Sequence, residues 1–476
     1  MRFPCLLLGG ILLGQNQGAR FLDPVFSRIG VTKNIKYGHN LSFTLSPTDL
    51  YMDMYEPLGD TMARRPVIIL IHAGSFLPPT IAGGAFGRSP IGTREDSGIV
   101  GLCIEFARRG YLAISATHRL GWNPNATTQD ERAKSIIQAV WRATQDGRAL
   151  VRFLRKDAAT ENRYRLDSTR IVMGGSSSGG YVGVHVAYLN RPEEFNLPKF
   201  LDQNGRPFID TTSPDMGRGS GPEAGPDAFE GGSGNPGYSS RIQAVLSLGG
   251  AIGDTGFIQN ERIPVIAIHG KQDPSTPWDS GMVYTAVGNY AIIDVYGSAG
   301  MGRYLYERGN QQALLPDFAG DRPYPGVLIF QSAGFEPFGW YANSSAADKA
   351  RARTYLDSVV QFAAPRLFKV LNLPQITMPL ASGVEVVSLA QAELEKGTIS
   401  LYPSPASVPV VHLRASQPIA TLELFQLTGE KVGEFRLPTP LPSCSWEISG
   451  LTAGVYLVRV GLVNGEHLAK LWSYQP

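Results

Sequence analysis

The chain has 476 residues, 43% of them hydrophobic and 18% charged, with a net charge of +2. That length exceeds one ordinary domain and the apolar content suits a large core, so two domains with tails are expected. The near-neutral balance offers no basic patch for nucleic acid and no polybasic membrane signal. No Cys/His cluster has zinc-site spacing, so neither a metal nor a cofactor is expected.

Met1 to about Ala19 opens with one Arg and a short apolar run, and reads as a secretory signal peptide (residues 1–19). The run is too short to span a bilayer. Gly14, Gly18 and Ala19 are all small enough to precede the cleavage point. Cys5 stands at the front of the run, which does not fit a lipid-attachment cysteine. Cys103 and Cys444 then fall in different expected domains, so no disulfide framework follows, and both read as small buried apolar residues.

Leu45 to Pro57 alternates partly and reads as an early antiparallel strand. Pro66 opens Val-Ile-Ile-Leu-Ile, a β-branched run typical of a strand buried on both faces. It ends in His72-Ala-Gly-Ser-Phe76, where small residues let backbone N–H groups approach a substrate oxygen; the plainer reading is a strand-to-loop turn. Val100 to Arg109 has helical spacing and stops at Gly110, a good cap. Tyr111 to Ala116 is the next strand, and Glu131 to Lys156 a long helix. Leu166-Asp-Ser leads into Arg170-Ile-Val-Met-Gly-Gly-Ser-Ser-Ser-Gly-Gly180, followed by a helix-like stretch to Leu189. Strand, sharp turn and helix make the context of a nucleophile elbow. Ser177 is the serine of this cluster with glycine two residues before it and two after. A flexible Gly/Ser linker would not be flanked by tight apolar runs.

Arg191 to Ser240 breaks the strand–helix rhythm and reads equally as a substrate-side lid or as a tolerated insertion. Arg241–Gly249 and the run from Pro264 read as further strands. The second ends in His269-Gly-Lys-Gln-Asp273, where His269 reads as structural and Asp273 as an acid or, more plainly, a turn-capping aspartate. Ala291–Tyr296 and Val327–Gln331 read as late strands, and Asp348–Phe362 as a closing helix. The alternation predicts an α/β fold with a doubly wound, mostly parallel sheet over residues 20–370. Residues 371–396 read as a linker. From Gly397 to the end, seven short alternating strands predict a small all-β sandwich.

His72-Ala-Gly-Ser-Phe, Thr117-His-Arg-Leu-Gly, Gln145-Asp-Gly-Arg, the Ser177 elbow and His269-Gly-Lys-Gln-Asp together resemble secreted α/β-hydrolases of the carboxylesterase and feruloyl-esterase-like type. The resemblance covers about Phe43 to Leu367. It implies acyl transfer on a small-molecule or polysaccharide-linked ester. Ser177 would attack the carbonyl, Asp273 would orient a histidine, and the N–H groups of Gly74, Ser75 and Ser178 would hold the oxyanion. In such hydrolases the histidine follows the acid in chain order. Here no histidine occurs between His269 and His412, and the place where it is expected reads Ser332-Ala-Gly-Phe335-Glu336. Phe335 cannot carry a proton and Glu336 is a weak base. His39, His72, His118 and His185 stand at unsuited places, and His412 and His467 fall in the C-terminal module. A non-catalytic surface binding protein on a hydrolase fold is therefore the alternative.

Within the last module, Leu401-Tyr-Pro-Ser-Pro-Ala406, Leu427-Thr-Gly-Glu-Lys-Val432 and Gly450-Leu-Thr-Ala-Gly-Val-Tyr-Leu457 resemble the C-terminal sorting domain of the bacterial type IX secretion system. The resemblance implies export across the outer membrane by that machinery, often with removal of the module and attachment to the cell surface. A generic carbohydrate-binding sandwich is the plainer alternative.

Overall fold

The computed structural model describes residues 16–79, 81–82, 92–219, 224–259, 262–309, 318, 320–331, 346–389, 399–402, 409–426, 428–465 and 467–475. Most of the expected signal peptide, and Phe335 with Glu336, lie outside the described residues.

Nine strands form the central sheet. Their order is β11 (Val327–Phe330), β8 (Val265–Gly270), β7 (Ala244–Leu248), β6 (Leu166–Ser176), β4 (Arg65–Ile71), β5 (Leu112–Ala116), β3 (Pro47–Pro57), β2 (Arg28–Leu41) and β13 (Glu385–Leu389). Only β3 runs against the others. β4 shows why its β-branched run forms a central strand. Its alternate residues feed two cores, with Val67, Ile69 and Ile71 on one face and Ile68 and Leu70 on the other. The first core is covered by α2 (Gln129–Ala159) and α3 (Ser178–Tyr188). The second is covered by α1 (Ser97–Arg108) and α5 (Ala346–Val370), and Cys103 is buried there. A short α4 (Ser298–Glu307) precedes β11. At the start of α2, Thr128 and Glu131 form a reciprocal capping box.

β2 was not expected from its sequence, which mixes Gly, Lys and Asn among its apolar residues; two register shifts against β3 absorb them. Ala291–Tyr296 is a strand, β10, but it pairs with β9 (Ser280–Tyr284) in a separate antiparallel ribbon outside the main sheet. The stretch read as a linker is largely built into the body. β12 (Thr377–Pro379) pairs with β1 (Gln17–Ala19), and β13 extends the sheet beside β2. Its composition hid this because both strands are short and exposed on their free side.

The Arg191–Ser240 stretch has little regular structure, yet α2 holds it by side-chain bonds to backbone carbonyls. Gln145 Nε2 donates to the carbonyls of Met216, Gly217 and Ala228, and Trp141 Nε1 also donates to Met216. Arg152 reaches Gly231 and Gly234, and Arg148 reaches Leu189 and Phe229. Arg119 and Asp146, both fully buried, form an ion pair beneath it; Arg119 also donates to Asp215 O, and Ser233 donates to Asp146. These donors satisfy backbone acceptors that no ladder would.

The C-terminal module is all antiparallel: β14 (Ile399–Tyr402), β15 (Val410–Gln426), β16 (Lys431–Glu447), β17 (Gly454–Leu462) and β18 (His467–Tyr474). Five strands replace the seven expected. Val410–Leu413 and Thr421–Gln426 are halves of β15, and Lys431–Leu437 and Trp446 belong to β16. The places where the expected strands were split lie within β15 and β16, where their pairing shifts register. The bent strands close round a core that includes Trp472, Trp446 and Cys444. Cys103 and Cys444 are free and buried. Among the described residues, no helix is long and apolar enough to cross a membrane.

Candidate active site

β6 ends at Ser176 and α3 begins at Ser178, so Ser177 occupies the turn between them. Its φ of 50° and ψ of −114° are a strained backbone conformation for a residue with a side chain. Two contacts impose it. The Ser177 N–H donates to Leu248 O at the end of β7, at 2.7 Å. The chain also passes so close to β4 that a Cβ on Gly175 or on Gly179 would stand 2.0 Å from the Ile71 carbonyl oxygen in either case. These two glycines are the pair that marked Ser177 in the sequence. Ser178 Oγ donates to His72 O.

After β4, three successive residues have positive φ: Gly74 at 120°, Ser75 at 53° and Phe76 at 59°. The carbonyls of this loop are each anchored. Ala73 O is bonded to the His72 ring, Gly74 O to Leu77 N–H, Ser75 O to Trp122 Nε1 and Phe76 O to Gly121 N–H. In a trans peptide the next N–H points opposite to the carbonyl, so the N–H groups of Gly74, Ser75 and Phe76 face away from these anchors.

Ser177 opens into a cavity of about 680 Å3. Ser75 and Ser178 share its wall; Gly74 stands behind Ser75, with Gly92 close against it. The insertion contributes Phe195, Phe200 and Ile209, which the sequence alone could place only as part of a lid or a tolerated loop. The β9–β10 ribbon supplies another side, a role its sequence did not signal.

Asp273 follows β8 in a tight turn. Its Oδ1 accepts from the N–H groups of Ser275 and Thr276 at 2.8 and 3.0 Å, and its Oδ2 lies 3.4 Å from His269 Nε2. These contacts are those of a turn-capping aspartate. Asp273 is not among the residues that line the cavity; the three that follow it, Pro274, Ser275 and Thr276, are. The Thr276 side chain is bonded to Tyr181, one turn after Ser177 on α3, and this links the acid's loop to the elbow helix.

His269 and His185 are held by structural hydrogen bonds, whereas neither ring nitrogen of buried His118 has a hydrogen-bond partner among the described residues. His269 Nε2 donates to Thr276 O and its Nδ1 is paired with the Ser298 hydroxyl, each at 3.0 Å. His185 is the one imidazole in the described cavity wall. Its Nδ1 donates to Tyr181 O and its Nε2 accepts from Gly253 N–H. Both nitrogens are thus used, the ring is neutral, and burial pulls its pKa down to about 4. His118 packs 4.6 Å from the His72 ring and 5.7 Å from that of Phe76. Burial first, then the neighbouring His72 ring and the Arg119 guanidinium, hold it well below the usual histidine range. Burial likewise lowers His72. Among the described residues, no hydrogen bond joins a histidine to Ser177, and no three His, Cys, Asp or Glu side chains gather to hold a metal.

The strand order, the single reversed strand and the serine elbow define an α/β-hydrolase. Residues 52–214, which include the loop after β4 and the Ser177 elbow, match the family model BD-FAE, a resemblance to esterase-like hydrolases. No curated protein matches. Among solved structures, an esterase from the planctomycete Thermogutta terrifontis is 17% identical, covering 67% of this chain and 88% of its own, with a TM-score of 0.37. A bacterial heroin esterase is 12% identical over 70% of this chain and 84% of its own, with a TM-score of 0.34. A sugar hydrolase from Lactococcus lactis is 12% identical over 68% and 96%, with a TM-score of 0.33. The fold rests on the strand order rather than on these overlaps.

Proposed function

We propose that the protein hydrolyses carboxylic esters through Ser177. The observation that carries this is the strained elbow, which presents Ser177 to the cavity beside Ser75 and Ser178. Ser177 Oγ bonds to the ester carbonyl carbon, the alcohol leaves with a proton, and water then cleaves the acyl-serine to release the acid. The N–H of Ser178, at the start of α3, and those of Gly74 and Ser75 are assigned to the developing oxyanion. Asp273 is assigned to the acid position through its place after β8. Phe335 stands where the base is expected in sequence, so turnover is slow; loss of one triad member costs roughly 10⁴-fold or more. We also read the N-terminal apolar run and the C-terminal module as export signals for the type IX machinery, which delivers the protein outside the cell.

The test is release of p-nitrophenol from p-nitrophenyl butyrate by the purified chain, set against Ser177→Ala, with fluorophosphonate labelling of both. Turnover and labelling that vanish in the variant are expected. Ligand retention without turnover above the variant would leave a binding protein on a hydrolase scaffold.

A further inference from the structure

The cavity wall is mainly apolar, and about half of its polar side chains already have protein partners. The helix α2 lines it with Ile136, Ile137 and Val140, and the ribbon with Ile292, Ile293 and Val295. Glu194 is the sole Asp, Glu, Lys or Arg in the described wall. Its Oε2 accepts from the N–H groups of Asn190 and Arg191, and its Oε1 from the Arg191 guanidinium. It therefore has no need of a cationic ligand. His185 is bonded at both nitrogens. Tyr181 is bonded to Thr276, Thr285 Oγ1 to Val287 O and Tyr290 N, and Ser178 Oγ to His72 O. The polar side chains that remain beside Ser177, namely Ser75, Asn125, Ser275, Tyr284 and Asn289, are all neutral. An acyl group carrying a carboxylate, phosphate or several hydroxyls would lose its water here and gain little in exchange.

We infer that the cavity is an acyl site for an uncharged, unsubstituted aliphatic chain of roughly six to ten carbons; its volume falls within the range of small-molecule sites, about 300–1,000 Å3. This rests on the reading of Ser177 as the nucleophile of an ester hydrolase. Each buried methylene favours binding by up to about fourfold. Apolar area thus discriminates chain length where no polar contact does.

The test compares p-nitrophenyl acetate, butyrate, octanoate and ferulate at one pH, reading kcat/KM. Octanoate is expected to exceed acetate by 10- to 100-fold, and to exceed ferulate. In Ile137→Trp and in Val283→Trp, each checked for an unchanged unfolding temperature, the octanoate-to-acetate ratio is expected to fall at least 10-fold. Acetate or ferulate as the best ester, or a ratio unmoved in both variants, overturns the inference while leaving ester hydrolysis standing. A second arm titrates methyl octanoate, methyl acetate and methyl ferulate into Ser177→Ala, with dye displacement as the readout. Tight octanoate binding in a chain whose wild type turns over none of the esters would keep the acyl site and sink the hydrolytic reading. Absence of octanoate preference in this arm overturns the acyl site whatever the kinetics show.

Discussion

Gly175 and Gly179 stand on either side of Ser177 and oppose one atom, the Ile71 carbonyl oxygen, each with a would-be Cβ 2.0 Å away. Alanine at either place must push β4 or the elbow aside, and neither backbone can swing away as a side-chain tip could. Overpacking of this kind costs about 1–3 kcal/mol. Gly175 has φ 148°, a region L-residues avoid, which adds about 1 kcal/mol. Gly205 is the control: it has φ 73° with nothing within 4 Å, so Gly205→Ala carries the backbone term alone. Thermal unfolding of the three single variants should rank Gly175→Ala as most destabilised, then Gly179→Ala, then Gly205→Ala. Because both elbow alanines displace the same carbonyl, the double variant should fall short of the sum of the singles by at least about 0.5 kcal/mol. Fluorophosphonate labelling of Ser177 should drop in both singles and stay intact in Gly205→Ala. If Gly179→Ala were no worse than Gly205→Ala, or the double equalled the sum, the close passage of the elbow over Ile71 would not be what shapes Ser177.

Acid should weaken the body through His185. Its pKa is lowered from 6.5 to about 4 on folding, so the unfolded chain takes up the proton first as pH falls. The contribution is fully present above pH 6.5 and is lost between 6.5 and 4. From pH 7 to 5 the loss is about 2 kcal/mol, and buried His72 and His118 add to it with the same sign. His185→Gln should flatten the dependence of unfolding temperature on pH over that window. Asp146→Asn leaves Arg119 buried without its carboxylate and should cost about 3–5 kcal/mol. Limited proteolysis should then cut faster between residues 211 and 234, since Asp215 and Ser233 hang on this pair. If the N-terminal apolar run is cleaved off, the remaining chain should retain Gln17, because Gln17–Ala19 pairs with β12 and Arg20 is buried against Asp60. Intact mass measures this, and a mature chain beginning at Arg20 would contradict it.

Where burial alone decides, the sequence was readable. β4, β5, β7 and β8 are near-continuous apolar runs because both faces meet a core, and the Ser177 turn is legible because only glycine fits against Ile71. Where polar side chains do the ordering, pattern was silent. The Arg191–Ser240 segment has no hydrophobic period, since Gln145, Arg148 and Arg152 hold it by its carbonyls from another part of the chain. β13 escaped notice because one flank is open, and the halves of β15 and β16 looked separate because bends and turns favour the same residues. Of the site, the serine and its loop were evident. The commitment of His185 and His269 to carbonyls and amides follows only from three-dimensional neighbours.

The pairing of β13 with β2 has a mechanical consequence. Five residues, Glu385 to Leu389, form the sheet's edge strand in parallel register with β2, and Arg28 clamps the first of them through Glu385. A pull on the C-terminal module therefore reaches the body, along the chain, as shear on this ladder before any tension reaches the elbow. Scission just beyond Leu389 would free the module yet leave β2 covered by β13. The released body would then present no newly bared edge on which a second molecule could polymerise.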